Sequence, residues 1–486
     1  MRSKLVSSIT SEFAGRAFHA LVTGALLVFL TRSLGAESYG LLALAISIFA
    51  FFRLFSEMGI SRSAAKYVAE FKTDDPAKAD AVVVESRKLA VIAAVAVSLI
   101  LVVSADLLAA VLDEPELSSV IIVGSGIVLF YSLHQYNRIL LQGYENVVMS
   151  AKLHGLEALF TGLFVIGFVL FEPSVVTAVL GYVFGYAAAA IIGFVMVARI
   201  RNDDATTSTD GSDMRTRILR YNVPLTVTRL SNVVDGQLDI LLVGYFLNPL
   251  PVAFYTIGKE ISRLVSVPAA SIGFALSPTY GANKAAGQLE TAASIYQESL
   301  SKALIFYIPA SLGIILVADI AIPIVFGDEY TGAIVVVQIL ALFVFFEGLA
   351  YISSPAINYL GRARSEAIAK FVTSVGNLLL NILLIPIVGV AGAAVATVIT
   401  HGVYSIATVY IVYVELAFDL AAVERCLIRV TAVTVLMGGG VYMLVQMFTG
   451  YVALLLGMSV GVAIWLFACH VFALLDYREL ATMLRG

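Results

Sequence analysis

Charged residues and cysteines are scarce in this chain, and each scarcity excludes a class of protein. Only 13% of its 486 residues are charged, whereas 60% are hydrophobic. This composition excludes an ordinary soluble globular protein. There are two cysteines, of which Cys426 falls in a predicted cytosolic connection and Cys469 deep in the last apolar segment. We therefore expect neither a disulfide bond nor redox chemistry.

Motifs for catalysis and nucleotide binding are missing as well. The five histidines are scattered without the HExxH spacing of a zinc site, and no GxxxxGKS/T phosphate loop occurs. The predicted outer connections are too short to house a catalytic domain. We expect no cofactor, no nucleic-acid partner and no enzymatic activity. Any uphill work must then draw on an ion gradient or on the membrane potential.

Long apolar runs, by contrast, fill the chain. About fourteen windows reach the roughly twenty residues needed to cross about 30 Å of hydrocarbon, the first at 11–33 and the seventh at 221–247. The sequence therefore predicts an all-α polytopic membrane protein with about 14 transmembrane helices. The N-terminus is basic but leads into a full-length apolar window without a cleavage site, which favours a retained first helix over a signal peptide.

The basic residues are sorted to one side of the predicted membrane. Most of the 30 Lys and Arg residues fall in alternate connections, including 59–86, 199–220 and 361–370, whereas Arg32 alone lies in the opposite set. Positive charge marks cytosolic connections. We therefore expect a multi-pass protein of the cell membrane with both termini in the cytosol.

The chain also shows signs of an internal duplication. A polar, low-complexity stretch at 202–213 reads as a linker, and the segment Leu34–Leu44 aligns weakly with Leu247–Ile257. An even number of spans per copy predicts a parallel repeat with a cavity between two lobes. The predicted parts are an N-lobe of six helices at 1–200, a linker at 201–220, a C-lobe of six helices at 221–416, and two further helices with a short tail at 417–486.

The prolines divide unevenly between the two predicted lobes. Three lie in the first half, all in connections, and nine lie in the second half, several inside predicted spans. Proline removes a helix hydrogen bond and bends the helix. The pattern predicts that the second lobe holds the helices that rearrange, although prolines are also simply tolerated in membrane helices.

Polar and charged residues inside the spans are the candidate functional residues, because each charge costs about 2.5 to 3.5 kcal/mol to insert. In the first span Arg16, His19 and Thr23 share one helix face. Arg16 either faces protein or water, or extends to the cytosolic headgroups. Arg53 and Glu57, four residues apart in the second span, are expected to pair with each other.

Two further spans carry charge near the middle of the bilayer. Span seven has Asn232, Asp235 and Asp239 on one face, with Arg229 a further turn toward the cytosol. The two carboxylates either neutralise a basic residue of a neighbouring helix or take up Na⁺ or H⁺. Lys259 and Arg263 share a face of span eight, and Arg263 is interpreted either as a cavity-lining cation or as the partner of an aspartate. Glu347 in span ten has no obvious partner.

The segment Leu30–Phe71, LTRSLGAESYGLLALAISIFAFFRLFSEMGISRSAAKYVAEF, resembles the start of the polysaccharide-biosynthesis flippases. These Wzx-type exporters of lipid-linked oligosaccharides belong to the superfamily that also holds MATE drug exporters and lipid II flippases. The resemblance implies a two-lobed, V-shaped bundle of fourteen helices with a cationic cavity. It also implies that a phosphate-linked sugar headgroup crosses through that cavity by alternating access while the polyprenyl tail stays in the bilayer.

On this resemblance we expect a flippase for a polyprenyl- or dolichyl-linked oligosaccharide, serving surface polysaccharide assembly or protein glycosylation. A cation-coupled MATE-type exporter is the alternative. MATE exporters typically carry an acidic residue within the first span, whereas this chain has only Glu12, at the cytosolic edge of that span. Expected partners are the lipid-linked glycan, Na⁺ or H⁺, and glycan-assembly enzymes, with a monomeric protein. The expected substrate-binding residues are Arg16, His19, Arg229, Lys259 and Arg263, and the expected ion-coupling residues are Asp235 and Asp239.

Overall fold

The computed structural model describes the backbone of residues 2–200, 215, 217, 218, 236–472 and 474, and the side chains of these residues except 2–14, 16 and 17. Throughout these residues the regular structure is helical, without a strand. The chain divides into two compact units, Met1–Val252 and Ala253–Gly486, here called the N-half and the C-half. The lobe and linker boundaries expected from the sequence stay a prediction.

The N-half is built from nine described helices. They are α1 (Arg2–Leu34), α2 (Ala36–Glu57), α3 (Ile60–Phe71), α4 (Pro76–Val103), α5 (Ala105–Val111), α6 (Glu116–Gly143), α7 (Val147–Phe171), α8 (Val175–Ile200) and α9 (Gly236–Phe246). Helix α10 (Pro249–Ala285) begins at the end of this unit and continues into the next.

The C-half continues with six more described α-helices and one short 3-10 turn. They are α11 (Leu289–Val325), the turn at Asp328–Tyr330, α12 (Ala333–Tyr359), α13 (Ala363–Val388), α14 (Val390–Leu416), α15 (Leu420–Met447) and α16 (Gly450–Val471).

The helix lengths confirm the predicted all-α polytopic membrane fold. Twelve helices in the described part of the chain are long and apolar enough to cross a bilayer. Two shorter apolar stretches, Phe18–Leu34 and Gly236–Phe246, fall in the predicted windows 11–33 and 221–247. Twelve spans of full length are thus found in the described residues, and the two remaining expected spans correspond to these shorter stretches.

The polar connection before α4 shows how the chain starts a membrane helix. Asp75 caps α4 by accepting a hydrogen bond from the backbone N–H of Lys78 at 3.1 Å, and Pro76 occupies the first helical turn, where no N–H is needed. The Lys78 side chain lies 2.7 Å from the same carboxylate. The hydrogen bonds that the side chain and the backbone N–H of Lys78 donate to this carboxylate lower the pKa of Asp75.

Within the N-half, small residues let α7 and α8 approach closely. Gly181 and Gly185 are four residues apart on α8, and a Cβ at Gly185 would lie 2.5 Å from the Cα of Thr161 on α7. Only glycine fits such a contact, which is the small-xxx-small packing of membrane helices. The contact fixes the position of α7, the helix that carries His154 and Glu157.

In the C-half, prolines interrupt four of the long helices. In the described residues the helix-interior prolines are Pro268 and Pro278 in α10, Pro309 and Pro323 in α11, Pro355 in α12, and Pro386 in α13.

The surroundings of Pro268 show how a backbone N–H next to one of these prolines finds a hydrogen-bond partner. The backbone N–H of Ala269 donates to the hydroxyl of Tyr307 on α11 at 2.9 Å, and that hydroxyl donates to the carbonyl of Ser266 at 3.3 Å. A buried hydroxyl thus replaces part of the hydrogen bonding of α10.

Candidate functional site

The N-half holds a carboxylate between two histidines. Glu157 on α7 is almost completely buried, with 4% of its side chain exposed. Its Oε2 lies 3.5 Å from Nε2 of His19 on α1 and 3.3 Å from Nδ1 of His154, one turn earlier on α7. The two imidazole rings are stacked with centroids 4.5 Å apart. Helices α1 and α7 are therefore joined by a polar contact inside the apolar bundle.

A guanidinium inside the same unit rests on aromatic rings. Arg53 on α2 lies 3.8 Å over the ring of Tyr131 on α6, a cation–π contact. Tyr131 in turn meets Tyr186 on α8 edge to face at 5.0 Å and the buried His134 at 6.3 Å. The Nε of Arg53 is buried and has no hydrogen-bond partner among the described residues. The guanidinium thus packs on Tyr131, and Glu57, which was expected to pair with it, acts on its charge only as an electrostatic neighbour, without an ion pair among the described residues.

The C-half has its own partly buried acidic residue with a partner that the sequence did not reveal. Glu347 on α12 lies 2.8 Å from Nε2 of His401 on α14. The His401 ring packs against Phe343 at 4.6 Å and against Tyr404 at 5.6 Å. Aromatic walls on two sides hold the imidazole against the carboxylate. The interpretation of Glu347 as a residue without a partner is thus corrected.

A second carboxylate of the C-half joins three helices. Glu366 on α13 accepts hydrogen bonds from Tyr404 at 3.0 Å, from Asn358 at 2.8 Å and from Ser354. Lys370, one turn further along α13, lies 4.7 Å over the Tyr404 ring. Because Glu366 accepts hydrogen bonds from residues of two neighbouring helices, its position between the helices is explained by helix packing.

The predicted cations of span eight are both on α10. Arg263 pairs with Glu260 of the same helix at 2.8 Å, and 58% of its side chain is exposed. Lys259 lies 5.5 Å over the ring of Tyr255, whose hydroxyl meets Thr397 on α14 at 2.8 Å. The structure thus places both positive charges along one side of α10. It does not test their role in binding.

The other predicted residues are described in part. His19 lies beside Glu157, and Asp239 is buried in α9 with 2% exposure. Arg16 falls in α1, but its side chain lies outside the described residues, as do Arg229 and Asp235 entirely. The expected roles of all seven residues in substrate binding and ion coupling stay predictions.

Sequence reasoning missed three residues that the structure makes prominent. Arg53 was visible as a charge inside a span, but the nearby Glu57 offered a simpler explanation. Glu157 lies ten residues after the start of α7, and His401 on α14 is separated from Glu347 on α12 by the whole of α13, so no spacing rule connects either with its partners. A search for every ionisable residue inside an apolar window would have found them.

Comparison with known proteins gives two matching families. The sequence model described as polysaccharide biosynthesis protein matches residues 6–284, more than half of the chain. The model described as MatE matches residues 224–387.

Two relatives and one solved structure show what the chain is similar to. A "Probable low-salt glycan biosynthesis flippase" of Haloferax volcanii is 23% identical over 35% of this chain, and the match spans only about a third, 36%, of that protein. A "Putative O-antigen transporter" of Shigella flexneri is 22% identical over 73% of this chain and 84% of its own length. The lipid II flippase MurJ in an inward closed conformation superposes with a TM-score of 0.77 at 15% identity, covering 97% of this chain and 99% of that chain.

Proposed function

Because the chain belongs to the polysaccharide biosynthesis protein family, we propose that it is a flippase for lipid-linked oligosaccharides. The family resemblance expected from Leu30–Phe71 is confirmed. In this proposal a polyprenyl- or dolichyl-linked oligosaccharide, carried on a phosphate or pyrophosphate, moves from the cytosolic to the outer leaflet by alternating access. The protein acts as a transporter and not as an enzyme. Its product serves surface polysaccharide assembly or protein glycosylation.

The observation that carries this proposal is Arg53. Its guanidinium is held on Tyr131, and its buried Nε lacks a hydrogen-bond partner in the described part of the chain. Leaving a buried donor unsatisfied costs about 1 to 3 kcal/mol. A phosphate oxygen is the acceptor that arginine binds best, through charge-assisted hydrogen bonds. A phosphorylated headgroup would therefore satisfy a group that the protein alone leaves incomplete.

The surroundings of Arg53 favour an anion over a cation. His134 and Tyr131 supply a polar, polarisable wall, and the aromatic face fixes the guanidinium plane. Glu57 and Glu157 act on the Arg53 charge electrostatically, but no ion pair with Arg53 occurs among the described residues. A cation-binding pocket would instead place carboxylates at ion-pair distance from the ligand. We accordingly add Arg53 to the expected substrate-binding residues Arg16, His19, Arg229, Lys259 and Arg263.

Direction and coupling follow from the charge pattern. Basic connections such as 59–86 and 199–220 lie on the cytosolic side in this proposal, and so do both termini. Uphill movement is coupled to Na⁺ or H⁺ taken up by Asp235 and Asp239, of which Asp239 is buried. The protein works as a monomer and receives its substrate from glycan-assembly enzymes.

A cation-coupled exporter of drugs or metabolites is the second candidate. The match of residues 224–387 to the MatE family and the partly buried carboxylate of Glu347 favour it. The two candidates differ in the charge that their substrate carries. A transporter for cations should lose activity when Glu347 is neutralised and be indifferent to Arg53.

The experiment that separates the candidates follows the lipid-linked oligosaccharide in cells lacking the protein. The cells are complemented with wild type, Arg53→Ala, or Arg425→Ala, in which the altered arginine is 62% exposed near the start of α15. The glycan on the outer leaflet is measured with a membrane-impermeant reagent. We expect cytosolic accumulation that is rescued by wild type and by Arg425→Ala but not by Arg53→Ala. An unchanged distribution without the protein, with redundant flippases deleted, would favour the exporter.

A further inference from the structure

We propose that His19, His154 and Glu157 form a binding site for one divalent transition-metal ion, of which Zn²⁺ is the best match. One ligand atom from each residue lies within 4.8 Å of the other two. The residues come from two helices, α1 and α7. The proposal concerns this cluster alone and does not depend on the transported substrate.

The distances fit a single ion at the centre of the cluster. Two ligands of a tetrahedral zinc lie about 3.3 Å apart when the metal bonds are about 2.0 to 2.1 Å. Nδ1 of His154 and Nε2 of His19 lie 3.3 and 3.5 Å from the same oxygen, Oε2 of Glu157. Both N–O separations are thus nearly those that a metal requires between its ligands, and all three ligand atoms lie within 4.8 Å of one another. The two rings are stacked at 18°, so at least one imidazole must turn about its Cβ–Cγ bond for both lone pairs to meet one ion.

Hydrogen bonding alone does not account for the cluster. The Nδ1 of His154 is buried and makes no hydrogen bond of acceptable geometry, although the carboxylate oxygen is only 3.3 Å away. A buried nitrogen in this position costs free energy unless something lies between it and the oxygen. A metal ion accepts the lone pairs of both atoms at once and removes that cost.

The ligand types select the class of metal. Two imidazoles and one carboxylate are the donors of many catalytic zinc sites, and they suit Zn²⁺, Co²⁺ or Fe²⁺ better than Ca²⁺ or Mg²⁺, which prefer oxygen ligands. His154 and Glu157 lie at i and i+3 on α7, so one helix face presents both ligands. The third ligand, His19, is one-third exposed, which leaves room for a water or another ligand at the fourth position.

A metal at this place would connect α1 to α7. Helix α7 is already fixed against α8 by the close contact at Gly185. The ion would add a coordinate link to α1, which already packs on α7 where Val22 faces Gly162, and where His19 also pairs with Thr23 at 3.4 Å. Metal binding should therefore stabilise the N-half against unfolding.

The test measures metal uptake by the purified full-length protein in lipid nanodiscs. After treatment with a chelator, the protein is titrated with Zn²⁺ and, separately, with Co²⁺, whose visible absorption reports four-coordinate nitrogen and oxygen ligation. Wild type is compared with His154→Gln, Glu157→Gln and the control His470→Gln. His470 is an exposed histidine near the end of α16. Unfolding temperatures measured without metal show whether each variant is folded.

We expect wild type and His470→Gln to bind one Zn²⁺, to show the four-coordinate cobalt spectrum, and to unfold at a higher temperature with metal. The His154→Gln and Glu157→Gln proteins should lose more than about tenfold in affinity, since even changes outside the ligand set cost that much. Equal metal binding by wild type and His154→Gln, or no stoichiometric binding by folded wild type, would overturn the proposal. Because no transport is measured, failure here leaves the proposed flippase activity to its own test.

Discussion

The N-half and the C-half each bury a carboxylate beside histidine, but they hold it differently. Glu157 contacts two stacked histidines and is 4% exposed, whereas Glu347 contacts one histidine and is 17% exposed. In the described helices, interior prolines occur in the C-half and not in the N-half, where Pro76 sits at a helix start. In our proposal the N-half provides a fixed binding surface and the C-half provides the helices that bend.

The arginines of the two halves also differ in burial and in pairing. Arg53 is held on an aromatic ring and has a buried donor without a hydrogen-bond partner among the described residues. Arg263 is 58% exposed and paired with Glu260 one turn away. A buried guanidinium with an unsatisfied donor should bind a phosphate more strongly than an exposed one that is already paired. The predictions below test this difference, starting with the largest expected effect.

Replacement of Arg53 by alanine should reduce oligosaccharide flipping about tenfold to a hundredfold. The loss corresponds to the roughly 1.5 to 3 kcal/mol of a charge-assisted hydrogen bond. Arg53→Lys should retain part of the activity, because it keeps the charge but loses the planar donors. Rates are measured with equal amounts of protein in the membrane. Full activity of Arg53→Ala would remove Arg53 from the site.

Replacement of Gly185 by alanine should destabilise the N-half by about 1 to 3 kcal/mol, because the new Cβ would lie 2.5 Å from the backbone of Thr161. Thermal unfolding in nanodiscs measures the effect. Gly167→Ala on α7 is the matched control, since a Cβ there meets nothing within 4 Å. Equal unfolding temperatures for the two variants would mean that α7 and α8 are not tightly fixed.

Replacement of Tyr307 by phenylalanine should destabilise the C-half by about 1 to 2 kcal/mol, because the N–H of Ala269 next to Pro268 loses its acceptor. The same unfolding assay applies. Tyr410→Phe, where the tyrosine is 64% exposed, should change stability by less than about 0.5 kcal/mol. If Tyr307→Phe left the unfolding temperature unchanged, the backbone N–H of Ala269 would have to find another hydrogen-bond acceptor.

Replacement of Arg263 by alanine should have the smallest effect. Its exposed pair with Glu260 is worth about 0.2 to 0.5 kcal/mol, and flipping should fall less than with Arg53→Ala. The two variants are compared in one flipping assay. A greater loss at Arg263 would reverse the ranking and assign the headgroup to α10, as the sequence alone suggested.

The fold could be predicted from the sequence because it follows from local properties. Twenty-residue apolar windows must be helical in a bilayer, since every backbone group needs an internal partner. The windows at 11–33 and 221–247 were found in this way, although the structure describes only shorter apolar stretches within them. The positions of interior prolines in α10, α11 and α12 were also visible directly.

The site could be predicted only in part, because its contacts connect distant helices. The pairing of Glu347 with His401 and the meeting of His19 with Glu157 depend on which helix faces pack together. Spacing rules such as HExxH detect ligands on one helix, whereas the proposed metal ligands come from two. For Arg53 the sequence offered only the nearby charge of Glu57, while its packing contact, Tyr131, lies on another helix.

The most direct test of the flippase proposal is flipping by the purified protein in liposomes. A fluorescent polyprenyl-pyrophosphate oligosaccharide is placed in both leaflets, and the fraction accessible to an external membrane-impermeant quencher is followed over time. The account predicts that wild type and Arg425→Ala expose the inner pool rapidly and that Arg53→Ala leaves it protected for at least about ten times longer. Equal protection in liposomes with and without wild-type protein would contradict the flippase.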